Sequence, residues 1–137
     1  MGNRRVIGFR ENTDVTDTLY LYMHWGNDDV MKSVREIIKH SENRWSDASY
    51  ANRMAIGYVL SEDAMGEFNF GISVNEFIAP DNDTVPIIVW RAEKVILTKA
   101  PYHESFSEYL DDENIDQIIA EYTFDQVLDV ETEFPVV

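Results

Sequence analysis

Apolar residues recur along this chain in two rhythms. Short stretches rich in β-branched and aromatic side chains lie at residues 4–10, 18–23, 68–74, 85–90 and 94–98, and these predict strands. Between the second and third stretches the period lengthens. Val30, Val34, Ile37 and Ile38 repeat at helical spacing, with Lys32, Arg35, Glu36 and Lys39 on the other side. That predicts a first helix, capped by Asn27 and ending near residues 41–43. A second helix begins at Ser46 or Asp47 and runs out by residues 61–63. Tyr50, Met54 and Tyr58 share one of its faces, Ala51, Ala55 and Val59 lie beside it, and Ser49, Asn52 and Arg53 take the remaining face. Gly71 inside a predicted strand marks a bulge or a close approach by another group. Residues 91–93 close a hairpin between the last two strands.

Pro101 punctuates the chain. Beyond it, Ile115, Ile118, Ile119 and Tyr122 predict a helix face with Asp112 as its cap. The order of elements predicts an α+β fold: a mostly antiparallel sheet of about five strands, a helix pair on one face, and an acidic C-terminal helical extension. Residues 1–100 form the core domain in this reading. Residues 101–137 form the extension, whose apolar positions call for a surface on the core or on another subunit, and so for a homo-oligomer.

Charge changes the picture of that extension. The net charge is −15, yet residues 1–99 hold 15 acidic and 11 basic side chains, whereas residues 100–137 hold 11 acidic side chains and no Lys or Arg. A surface of that sign repels phosphate backbones, which argues against direct nucleic-acid binding. Cysteine is absent, so neither a disulfide framework nor a thiolate metal site exists. No apolar run reaches the roughly 18 residues of a membrane span, which points to a soluble protein with no membrane partner.

The candidate chemistry is concentrated between residues 20 and 53. His24 and Trp25 follow the second strand, and Arg44, Trp45, Asp47, Tyr50 and Arg53 open the second helix. Aromatic faces stack on bases and guanidinium forks hold phosphate in two-point contacts, so this inventory fits a nucleotide. Against it stand plainer roles: both indoles as core residues, Asp47 as a helix cap, Arg44 and Asp47 as a surface ion pair. His24 has no nucleophile or second metal-ligating His at a useful spacing, and neither a metal site nor a catalytic constellation is legible. There is no phosphate-cradling glycine loop, and Asp81-Asn82-Asp83 lacks the downstream residues of a calcium loop. No cofactor is implied.

The same positions carry a resemblance. His24-Trp25-Gly26, then Arg44-Trp45 with Asp47, Tyr50 and Arg53, then Phe70-Gly71-Ile72 resemble a family of small proteins encoded mainly by tailed phages. The likeness covers residues 4–99; Asn27 replaces a second glycine of the pattern, and the acidic extension is not part of it. It implies a viral setting, in the host cytoplasm, more firmly than an activity. In that setting the leading expectation is a counter-defence protein, not an enzyme, that sequesters a nucleotide-derived immune signal of the cyclic oligonucleotide or cyclic ADP-ribose type. His24, Trp25, Arg44, Trp45, Asp47, Tyr50 and Arg53 would be its ligand contacts. The alternatives are an acidic interaction protein, inhibiting a host enzyme or imitating nucleic acid through residues 101–137, and a phosphodiesterase that uses His24.

Overall fold

A computed structural model describes residues 5–14, 17–23, 30–62, 70–75, 84–99 and 117–134. Six strands, β1 (Arg5–Arg10), β2 (Leu19–Met23), β3 (Phe70–Val74), β4 (Thr84–Val89), β5 (Lys94–Lys99) and β6 (Gln117–Thr123), form one mixed sheet in the order β3-β2-β1-β4-β5-β6. The helices are α1 (Val30–His40), α2 (Ala48–Glu62) and α3 (Phe124–Leu128), with a 3-10 turn at Glu42–Arg44 before α2. The fold is α+β, with six strands rather than about five. All neighbouring strands are antiparallel except β1 and β4, which run parallel with Gly8 opposite Ile87. That ladder begins just after Pro86, which has no N–H to donate.

Both faces of the sheet are apolar. Ile7, Phe9, Leu21, Ile88, Val95 and Leu97 meet Val34, Ile37 and Ile38 of α1 and Ala51, Ala55 and Val59 of α2 in one core. Val6, Tyr20, Val85, Ile87, Val89 and Ile96 form a second buried cluster. Two-sided burial explains why residues 85–90 read as an unbroken apolar run rather than as an alternation. At Gly71 the expected close approach is a cross-strand tyrosine: Tyr22 lies opposite, and a Cβ added at Gly71 would sit 2.3 Å from its ring.

The C-terminal reading needs correction. Residues 117–123, expected on a helix, form an edge strand paired with β5. Its ladder carries a bulge, because Leu97 faces Ala120 while Thr98 faces Ile118, leaving Ile119 without a counterpart. One extra residue breaks the two-residue period of a strand. The resulting spacing of Ile118, Ile119 and Tyr122 imitates a helix, although β-branched side chains favour the extended state; Asp112 and Ile115 lie outside the described residues. The helix comes later and is short: Thr123 and Gln126 form a reciprocal capping box at the start of α3. Phe124 and Val127 then enter the main core, 1% and 0% exposed. From α1, Arg35 donates through Nε to the Val127 carbonyl at 2.7 Å and lies over the Phe134 ring. Residues 117–134 are thus part of the core assembly, not an appendage.

Phe124→Ala should cost about 3–5 kcal/mol of unfolding free energy, as large-to-small changes at buried aromatic positions do. Urea denaturation would measure it, and a loss below about 1 kcal/mol would contradict the placement of Phe124.

Candidate functional site

The turn between α1 and α2 is built on the carbonyls at the end of α1. The last turn of a helix leaves C=O groups without partners inside it. Here Ser41 Oγ donates to the Ile37 carbonyl at 2.8 Å, and the Trp45 indole Nε1 donates to the Ile38 carbonyl at 3.1 Å. Trp45 also meets Phe124 edge to face, with ring centroids 4.8 Å apart. Its half-buried ring therefore spends its polar atom and one flank on the fold.

Asp47 is the cap of α2. Its Oδ1 accepts from the Tyr50 backbone N–H at 3.3 Å and from Ser49 Oγ at 3.2 Å, while its carbonyl accepts the first helical bond from Ala51. Asp47 is not paired with Arg44. The Arg44 guanidinium instead lies 4.4 Å above the Tyr50 ring. Tyr50 is 41% exposed, and Arg53, three residues on, is exposed on the neighbouring part of the helix surface. Neither Arg44 nor Arg53 has a carboxylate partner among the described residues. A stacked guanidinium keeps its N–H edges available for an anion.

Five of the seven expected contacts, Arg44, Trp45, Asp47, Tyr50 and Arg53, lie among the described residues. Trp45 alone among them lines the cleft between the α1–α2 turn and the tip of the β4–β5 hairpin. That cleft measures ≈ 390 Å³, and its other lining residues are Ser46, Trp90, Arg91 and Glu93. Asn52, expected on the polar face, turns inward and accepts from Trp90 Nε1 at 2.7 Å. Residues two apart on a helix lie about 200° round its axis, so Tyr50 faces away from the side on which Asn52 meets Trp90. Arg44, Tyr50 and Arg53 form an outer surface, while Trp45 belongs to the cleft. His24 and Trp25 lie outside the described residues.

Arg91 and Glu93 were not among the expected contacts. Their sequence signal was a hairpin turn, Arg91-Ala92-Glu93 directly after a Trp, which placed two opposite charges beside an aromatic. Arg91 Nη2 lies 3.4 Å from Glu11 Oε1, an ion pair exposed enough to contribute little stability. Glu93 holds a left-handed backbone conformation, φ 50°, while its N–H bonds the Trp90 carbonyl and its carbonyl accepts from Phe124. The tip is fixed to α3 through that last bond.

Asp47→Ala should destabilise the protein by about 0.5–2 kcal/mol through loss of the cap, and Asp47→Ser should recover most of it. Thermal denaturation of the three proteins would check this, and equal stability of all three would refute the capping role. No protein-family model, curated protein or solved structure matches this chain, so its functional reading rests on the residues themselves.

Proposed function

We propose that this chain is a viral counter-defence protein that binds and sequesters a small nucleotide-derived immune signal. The observation that carries the reading is the Arg44 guanidinium stacked on Tyr50, with Arg53 three residues beyond Tyr50 along α2 and no carboxylate among the described residues set against either Arg. Both guanidinium groups are exposed, so an anion can reach them. Stacking fixes the plane of the Arg44 fork, so less side-chain entropy is lost when a phosphate arrives. The phage-type motif order supports the viral setting. Trp45 and the cleft beside it supply an aromatic wall and a concavity at the lower end of the roughly 300–1,000 Å³ usual for ligand sites.

The test is a thermal-shift screen against cyclic di- and trinucleotides and cyclic ADP-ribose isomers. A ligand that binds only the folded state at a hundredfold excess over Kd adds about 2.7 kcal/mol of stability. The double variant Arg44→Ala/Arg53→Ala should fold normally by circular dichroism and lose the shift. Each charge-assisted hydrogen bond is worth about 1.5–3 kcal/mol, roughly ten- to a hundredfold in affinity. A ligand recovered intact after denaturation indicates trapping. No shift across the panel overturns the proposal, and an unchanged shift in the double variant overturns the role of these arginines.

A further inference from the structure

The ≈ 390 Å³ cleft has a chemistry of its own, distinct from that of the two arginines on α2. Both indoles at its walls have their N–H groups committed inward, Trp45 to the Ile38 carbonyl and Trp90 to Asn52. Trp90 is fully buried, so the carbon surface within a ligand's reach is that of the half-buried Trp45, which offers no hydrogen bond. The remaining lining residues are Ser46, Arg91 and Glu93. Glu11 approaches Arg91 at Nη2 alone; Nη2 carries two N–H groups, one on each edge of the guanidinium, so the edge turned away from Glu11 keeps a two-donor fork for a ligand. Glu93 is exposed and has no side-chain hydrogen bond or ion pair among the described residues. Counting Glu11, Arg91 and Glu93 together, the mouth of the cleft is net negative, so it does not suit a phosphate. It suits a flat neutral group that presents an acceptor edge to a guanidinium and a donor edge to a carboxylate.

From this we infer that the cleft is a base-binding site and that the base is guanine. Guanine carries acceptors at O6 and N7, which an arginine fork matches, and donors at N1–H and N2–H₂, which a carboxylate matches. Adenine presents an acceptor where guanine has N1–H, so a carboxylate there repels it. The base would rest on Trp45, with Arg91 at O6 and N7 and Glu93 at the donor edge. Glu93 is held in place because its backbone bonds both Trp90 and α3, and the hairpin therefore presents the carboxylate from a fixed tip. The inference rests on the preceding reading for the nucleotide nature of the ligand, and it narrows that ligand to one bearing guanine.

The test is isothermal titration calorimetry of the full chain with guanosine, inosine and adenosine, none of which carries a phosphate for Arg44 or Arg53. Guanosine should bind at least tenfold more tightly than adenosine, with inosine, which lacks the N2 amine, between them. Glu93→Gln should reduce guanosine affinity at least tenfold and strengthen adenosine binding by relieving the repulsion, and Arg91→Ala should weaken guanosine and inosine alike. Circular dichroism confirms that each variant is folded. Equal affinity for guanosine and adenosine, no nucleoside binding, or a guanosine affinity indifferent to Glu93→Gln overturns the inference. Cyclic nucleotides that stabilise the protein without guanine preference leave the sequestration reading standing and remove only this one. Guanosine binding with no response to any cyclic ligand does the reverse.

Discussion

The indole of Trp90 is where the distant parts of this chain are joined. It is fully buried, lies stacked on Phe9 of β1 with ring centroids 6.0 Å apart, and meets Phe124 of α3 edge to face at 6.1 Å. Its single polar atom donates to Asn52 of α2. One side chain thereby fixes the first strand, the second helix and the C-terminal helix to the end of β4. A buried N–H left without a partner costs about 1–3 kcal/mol, so Asn52 is as necessary to the arrangement as the ring itself. The cleft follows from this. Trp45 reaches the same cluster through Phe124, and the hairpin tip that carries Arg91 and Glu93 begins where Trp90 ends.

Much of the framework was legible in the chain because local and global preferences agree there. The amphipathic period of α1, the cap at Asp47 and the hairpin across residues 91–93 are local features, and each was readable from the residues that make it. The parallel pairing of β1 with β4 was not. Nothing in either strand names a neighbour so far along the chain, and both are apolar on two faces, which removes the alternation that would orient them. β6 misled for a different reason. A bulge adds one residue to a two-residue rhythm, and the sum looks helical.

The arrangement of the candidate residues was only partly legible. Arg44, Trp45, Asp47 and Tyr50 are close in sequence, and closeness invites the idea of one cluster. The turn before α2 sends them separate ways: Trp45 inward to the Ile38 carbonyl, Asp47 to the helix end, and Arg44 outward onto Tyr50. What decides each direction is a backbone partner supplied by α1 or α2, and sequence spacing alone does not disclose which side chain will be claimed. Conversely, Arg91 and Glu93 looked like ordinary turn residues until Trp45 was placed against their hairpin.

The pairing of Gly8 with Ile87 also has a consequence for how the protein is made. Chains grow from the N-terminus, and β1 emerges early with β2 as its antiparallel neighbour. Its other hydrogen-bonding edge stays empty until β4 has been synthesised, and loop closure over that distance is slow compared with local hairpin formation. During that interval Val6, Ile7 and Phe9 have no lasting cover on the β4 side. The contact of Trp90 with Phe9 waits on that same pairing, because Trp90 directly follows β4. A parallel pair between strands so far apart in sequence is slower to form than the local hairpins on either side of it, so it sets the pace for the sheet as a whole.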